Sequence, residues 1–467
     1  MKRAACIALV GLCLASCARS CEIGRAPTEP VSGTCAPVWL RDREGGVLVL
    51  RGANVSSESK WAGNRLPPFG SDDFARMRDE LGLDAVRLLV FWEAIEPYPG
   101  VYDDAYLDSV RQLVDAAARE GLVVVVDMHQ DVFGRGFGHA GAPRWACDEE
   151  AYAAFRSPEP WFLGYFEPEV THCFDRFWND AQTRAAYVAA WARLATALRG
   201  IDAVRIYDVM NEPSGGSTGA DELEQRLAPA LYADVADAVR LADPDDPPLI
   251  AIAPAARSNL GMSTSLEPPA RDGLVYAPHM YSRALELDHR YDGVVAGVRA
   301  QAQTICRDAT RLGLPVVVGE LGARRADEGA SICLEDAYDA LDEARASALY
   351  WDLGRGDGAS YGLLDARGEP AMQARAVARP HPSRIAGVPG AWRWDAESGV
   401  FELGWTEDGS ARGDSVVLLP GLAFPDGASV SLDGAPEVHV EPGRLRIPQV
   451  GGERSLRALR PATLAVR

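Results

Sequence analysis

Polar side chains collect where the apolar runs of this sequence end. One run closes as Asp127-Met128-His129-Gln130-Asp131, the next as Asn211-Glu212-Pro213, and another as His279-Met280-Tyr281. Two more close as Gly319-Glu320-Leu321-Gly322 and Tyr350-Trp351-Asp352. The pair to explain is Glu212 and Glu320. Two carboxylates held together out of water repel, and the repulsion pushes one pKa upward. Hydrolysis of a glycosidic bond uses that: one carboxyl keeps its proton for the departing oxygen while the other attacks the sugar carbon. The bland alternative, two glutamates in unrelated surface salt bridges, leaves the Asn211-Glu212-Pro213 ending without a cause.

Such a pair must be placed by something rigid. From Val47 to Leu353 short apolar runs alternate with helical stretches. The runs are Val47–Leu50, Ala85–Phe91, Val123–Met128, Val204–Met210, Leu249–Ala253, Val275–His279, Val316–Glu320 and Ala348–Trp351. Amphipathic segments such as Tyr106–Arg119, Tyr187–Leu198, Leu231–Leu241 and Ala337–Arg345 lie between them. Buried strands alternating with helices predict parallel β/α units, and eight of them predict a closed (β/α)8 TIM barrel. No glycine-rich GxGxxG follows the first run, which argues against a dinucleotide-binding sheet. All five polar endings then fall on the barrel face where catalysis happens. Strands four and seven stand across the barrel from one another, a placement that can bring Glu212 and Glu320 to about 5–5.5 Å, the retaining separation.

Past about Pro380 the helices stop. Short alternating segments at Val400–Trp405, Ser415–Leu419, Ser429–Leu432 and Arg444–Ile447, parted by turns such as Asp426-Gly427, predict a small β-sandwich. Between Phe133 and Trp178 lie twelve aromatic residues, Trp145, Trp161, Phe162, Tyr165 and Phe166 among them. They either pack that insertion on itself or form an apolar wall beside the substrate.

The chain has 467 residues and a formal net charge of −20. An acidic surface repels phosphate backbones, so nucleic acid is not an expected partner. At the start, Lys2 and Arg3 precede an apolar stretch from Ala4 to Ala15 that is too short to span a bilayer, the layout of an export signal. It ends Leu14-Ala15-Ser16-Cys17, which resembles a bacterial lipobox, with Cys17 as the lipidated residue; a plain signal peptide is the alternative. The expected organisation is a signal over 1–17, a Pro/Ser/Thr/Gly-rich tether over 18–36, a catalytic domain over 37–380 and a β-sandwich over 381–467. The protein is then expected in the bacterial cell envelope or outside the cell, touching membrane through its anchor, as a monomer. Six cysteines remain after Cys17, and closeness along the chain favours Cys21–Cys35, Cys147–Cys173 and Cys306–Cys333 among fifteen possible pairings. No CxxC or Cys/His cluster has zinc spacing, so no metal and no cofactor is expected.

Asn211-Glu212-Pro213 on strand four, with a glutamate ending strand seven, resembles the retaining (β/α)8 glycosidases of glycoside hydrolase family 5. Closer still, Asn54-Val55-Ser56-Ser57-Glu58-Ser59-Lys60, Asp127 to Asp131, Asn211 to Gly216 and Pro278-His279-Met280-Tyr281 look like the endoglycoceramidases, over nearly the whole chain after the signal. By that resemblance Glu212 is the general acid/base and Glu320 the nucleophile. Asn211 meets the sugar 2-hydroxyl, Tyr281 holds the nucleophile and Arg87 keeps it ionised. His129, Asp131 and His279 orient the sugar, Lys60 reaches its outer hydroxyls and Trp351 forms a stacking floor. The resemblance implies hydrolysis between a sugar head group and ceramide, a glycolipid substrate, with the aromatic insertion as candidate groove for the lipid. Gly134–His139 and Asp352-Leu353 depart from the family pattern beside the pocket and leave room for a short β-glucosyl or β-galactosyl lipid. A steryl β-glucosidase or an endo-β-1,4-glucanase on the same scaffold is the alternative enzyme. A non-catalytic glycan-binding surface lipoprotein is the reading from another class; it usually lacks one glutamate, and here both are present.

Overall fold

The computed structural model describes residues 38–357 and 360–461. The expected export signal, Cys17, Cys21, Cys35 and the whole expected tether lie outside the described residues. Eight parallel strands form the central sheet: Arg51–Val55, Ala85–Val90, Val123–Met128, Val204–Asp208, Leu249–Ile252, Leu274–Tyr276, Val317–Leu321 and Ser347–Tyr350. Each pairs with its neighbour in chain order except six with seven, and the eighth pairs with the first. The remaining gap, between strands six and seven, closes through parallel bridges Tyr276 to Val316 and His279 to Glu320. The sheet is therefore a barrel, the architecture the strand–helix alternation predicts.

Helices cover the outside where their sequences supply an apolar face and a cap. Asp103 caps Asp104–Arg119 by accepting from the Tyr106 amide, and Asp180 caps Ala181–Leu198 by accepting from the amides of Gln182 and Thr183. Strand five is followed only by the short 3-10 turn Ala256–Leu260, so its return to strand six runs without a long helix.

The period of two along each strand sorts the interior into layers. Leu40, Ala85, Val125, Ile206, Val275, Val317 and Leu349 form an apolar plug deep in the barrel. Two residues further along three of those strands stand Arg87, Asp127 and Asp208, all essentially inaccessible to solvent. The barrel thus changes from apolar to ionic over one step of the pleat. Gly319 makes room at that level, since a Cβ there would stand 3.2 Å from Nε2 of His279.

Two antiparallel sheets follow. One contains Val47–Leu48, His381–Ile385, Ser415–Leu419 and Gly443–Ile447. The other contains Val388–Asp395, Val400–Glu407, Gly452–Leu459, Ala428–Leu432 and Val438–Val440. Between them Trp392, Trp394, Phe401, Trp405, Val417 and Phe424 form a core of their own, the sandwich the alternating segments predict. Val47–Leu50 is not the first barrel strand. Val47–Leu48 pairs antiparallel with His381–Ile385, and the barrel begins at Arg51. The reason is local: the true first strand, Arg-Gly-Ala-Asn-Val, reads as polar because it carries buried Arg51, ion-paired to Asp342, and inward-facing Asn54.

Candidate active site

The ionic layer is built around one guanidinium. Arg87 Nη1 donates to Glu320 Oε1 at 2.8 Å and to Asn54 Oδ1 at 2.9 Å. Its Nε and Nη2 reach Asp208 Oδ2 at 3.0 and 2.9 Å, and Nη2 also reaches Asn211 Oδ1 at 3.0 Å. Asp127 adds an ion pair at 2.9 Å. Burial alone lowers the Arg87 pKa, but Asp127, Asp208 and Glu320 outweigh it and hold the group charged. Burial pushes Asp208 up to about 6 even with Arg87 beside it.

Glu320 lies in the strand Val317–Leu321, where the pairing to strand eight slips between Val318 and Leu321. A slip of this kind re-aims a side chain, and Glu320 faces the mouth although Gly319 beside it also faces in. Its second oxygen, Oε2, accepts from the Tyr281 hydroxyl at 2.8 Å. Burial raises its pKa, but His279, Arg87, His129 and Lys60 together pull it below the ordinary glutamate value. Glu320 is therefore an ionised carboxylate with both oxygens held.

Glu212 follows strand four with φ of 41°, a left-handed conformation that a glutamate rarely adopts. Gln130 secures that turn by donating from Nε2 to the carbonyls of Asn211 and Glu212 at 2.8 and 3.0 Å. Glu212 Oε1 accepts from His279 Nδ1 at 2.9 Å and from Asn259 Nδ2 at 2.6 Å. The same His279 nitrogen stands 3.5 Å from Glu320 Oε2. Burial lowers the His279 pKa, but Glu320 and Glu212 raise it above the ordinary histidine value overall. Oxygens of Glu212 and Glu320 and the His279 nitrogen all lie within 4.8 Å of one another. These three groups are close enough to chelate a cation, but protein donors already occupy both oxygens of Glu320 and one of Glu212.

A second polar group sits on the other side of Glu320. Lys60 Nζ is 2.7 Å from Asp131 Oδ2 and 4.3 Å from the Trp351 ring centre. His129 lies nearly parallel to Trp351 at 5.4 Å and shares a 2.7 Å hydrogen bond with Asp127 through Nδ1. Burial raises the Asp131 pKa, but Lys60 and His129 outweigh it and hold the carboxylate ionised. Asp352, which burial pushes up to about 6, accepts from the Ser57 amide at 2.6 Å and so fastens the segment that carries Lys60. Trp61, His139 and Trp161 extend outward from there, with ring centres 6.3 and 5.4 Å apart.

Lys60, Arg87, His129, Asp131, Asn211, Glu212, His279, Tyr281, Glu320 and Trp351 thus converge on one mouth. Four residues missed as site members join them. Asp127 and Asp208 carried a signal, a polar residue inside an apolar run; Asn54, in a strand that reads as polar, and Asn259 carried none. Most of the aromatic insertion packs on itself. Phe133 meets Phe174 edge-on, Phe137 meets Tyr152 and Phe155, and Trp92 receives Trp145. Exposed rings there are Trp161 and Phe166, so the expected wall is much smaller than twelve aromatics suggest. Cys147 bonds Cys173 across the insertion. Cys306 is disulfide-bonded while Cys333 is a buried free thiol, so the expected Cys306–Cys333 pair does not form. Nearness in sequence failed there because the two cysteines sit on adjacent barrel helices, Val295–Leu312 and Ala330–Ala344, whose separation the loop between them does not set.

Residues 42–357 match the family described as Cellulase (glycosyl hydrolase family 5), and residues 379–452 match the glycoside hydrolase family 5 C-terminal domain. Endoglycoceramidase I of Rhodococcus hoagii is 28% identical over 448 residues, spanning 89% of this chain and 85% of that protein. Endo-glycoceramidase II from Rhodococcus sp., solved as a lactosyl-enzyme intermediate, is 30% identical with a TM-score of 0.80, covering 91% of this chain and 100% of that one. Its ganglioside GM3 complex superposes with a TM-score of 0.81 at 29% identity over the same shares. Sterylglucosidase 1 of Cryptococcus neoformans, at 14% identity and a TM-score of 0.75, covering 91% of this chain and 96% of that one, shares the fold alone.

Proposed function

The chain belongs to glycosyl hydrolase family 5, and from that premise we propose that it hydrolyses the bond between a sugar head group and ceramide in glycosphingolipids, with retention of configuration. It is a glycoside hydrolase. The observation that carries the reading is that one oxygen of Glu212 and one of Glu320 lie within 4.8 Å of each other, short of the roughly 6.5–9.5 Å between carboxyl groups that an inverting pair needs.

Glu320, ionised and held by Arg87 and Tyr281, attacks the anomeric carbon while Glu212 gives its proton to the departing ceramide oxygen. A glycosyl ester on Glu320 results, with free ceramide. Water then attacks the same carbon as Glu212 takes back a proton, releasing the sugar and the Glu320 carboxylate. Asn211 meets the 2-hydroxyl, and Lys60, His129, Asp131 and Trp351 cradle the same sugar ring. Relatives named endoglycoceramidase over most of both chains support ceramide as the aglycone.

Mass spectrometry of products from glucosylceramide, lactosylceramide and ganglioside, with steryl glucoside and carboxymethylcellulose alongside, tests the substrate. Intact glycan plus ceramide is expected, and preferential cleavage of cellulose or steryl glucoside would sink the ceramide assignment. Glu320→Gln should lose at least about a thousandfold in kcat through loss of the nucleophile; retained hydrolysis would overturn the mechanism.

An exported, membrane-anchored monomer fits the same reading, since such an enzyme meets a membrane-borne substrate readily. The Leu14-Ala15-Ser16-Cys17 ending supports it, and among the described residues no helix is long and apolar enough to cross a membrane. Cys17→Ala should abolish labelling by a fatty-acid probe and release the enzyme from the membrane fraction; unchanged labelling would remove the anchor from the account. Sedimentation at equilibrium should return one chain mass.

A further inference from the structure

The donors around Glu212 are not spread over its carboxyl group. Asn259 Nδ2 and His279 Nδ1 both aim at Oε1, and among the described residues no donor reaches Oε2. Asn259 itself is fixed by its backbone. Its carbonyl accepts from the Tyr281 amide at 2.9 Å and from Gln301 Nε2 at 2.7 Å. Tyr281 in turn holds Glu320, so one residue ties the settings of both carboxylates.

The segment around Asn259 has no long helix to hold it; a buried anion holds it instead. Glu224, wholly inaccessible, accepts at Oε1 from the Ala255 amide at 2.9 Å and the Thr264 hydroxyl at 2.8 Å. Its Oε2 accepts from Arg257, the Ser265 amide and the Ser265 hydroxyl, each at 2.8 Å. Five donors on one carboxylate bracket Asn259 on both sides in the chain.

We propose that Asn259 is a positioning residue that reserves Oε1 of Glu212 for accepted hydrogen bonds, so that the transferable proton resides on Oε2, facing the glycosidic oxygen. The inference rests on Glu212 being the acid/base and deepens that reading. As the proton leaves Oε2, negative charge spreads over the carboxylate, and the N–H donors on Oε1 strengthen. Asn259 therefore makes Glu212 a stronger acid without touching substrate.

The test compares a lactoside whose departing group is an alkoxide, lactosylceramide, with dinitrophenyl β-lactoside, whose phenolate departs without a proton. Asn259→Ala should lower kcat/KM on lactosylceramide about 3- to 10-fold and on the aryl lactoside by less than about twofold. The alkaline limb of kcat/KM on lactosylceramide should move up by about half to one pH unit. Asn259→Asp, which keeps the shape, should move it further and regain activity as pH falls and the new carboxyl protonates. Equal losses on both substrates with an unmoved limb would assign Asn259 a merely structural part. Glu212→Gln is measured in parallel. If it discriminates between the substrates and Asn259→Ala does not, the inference fails alone; if neither does, the acid/base assignment fails first.

Discussion

Arg87 sets the charge balance of the whole mouth. Three carboxylates and two amide oxygens depend on it, and it has no solvent to share the load. Arg87→Met should cost about 3–5 kcal/mol of stability, because it strands buried anions, and urea unfolding would read the loss. Because the Glu320 pKa is depressed in the folded protein, its stabilisation is present above the unfolded value of about 4.3 and fades as pH falls through the folded one. The acidic limb of kcat/KM on lactosylceramide should accordingly lie below about 4.3, and a limb above 5 would contradict the ion-paired nucleophile. The two glutamates were legible from their neighbours in sequence, since a carboxylate at the end of an apolar run is carried toward the barrel mouth by a buried strand. Asn259 was not legible, because its importance lies in where its backbone is pinned. Nor was the slip in strand seven, which turns Glu320 inward against the simple alternation.

Strands with apolar interiors were readable and the first barrel strand was not, for a reason rooted in its own residues. Arg51 and Asn54 pair with partners far along the chain, Asp342 and Gly319 among them, and no local pattern announces those partners. The helices at Asp104–Arg119 and Ala181–Leu198 begin ahead of their apolar stripes, since the capping aspartates rather than the apolar residues mark the start. The aromatic insertion behaves as a small folded unit. Its Cys147–Cys173 bond closes a separation of 26 residues, a loop for which chain entropy gives about 3–4 kcal/mol. Cys147→Ser with Cys173→Ser should open residues 148–172 to proteolysis well before the barrel unfolds. Cleavage elsewhere first would show that the rings alone suffice.

Barrel and sandwich belong to one compact unit, and Val47–Leu48, just ahead of the first barrel strand, lies in a sandwich sheet. Trp392, Trp394 and Trp405 are buried between the two sheets, where they form the core of the sandwich. Trp405→Ala should cost about 3–5 kcal/mol, and calorimetry should show a single transition shifted as a unit. A second transition would separate the two parts. Val47 lies opposite Ile385, and Leu48 opposite Arg384. That pairing has a consequence in time: Val47–Leu48 can turn back on Leu40 and Arg41 at once, but its place in the sandwich sheet waits until a ribosome has made His381–Ile385. Contacts so distant along a chain form slowly, so the antiparallel pair that joins Val47–Leu48 to His381–Ile385 closes late in folding.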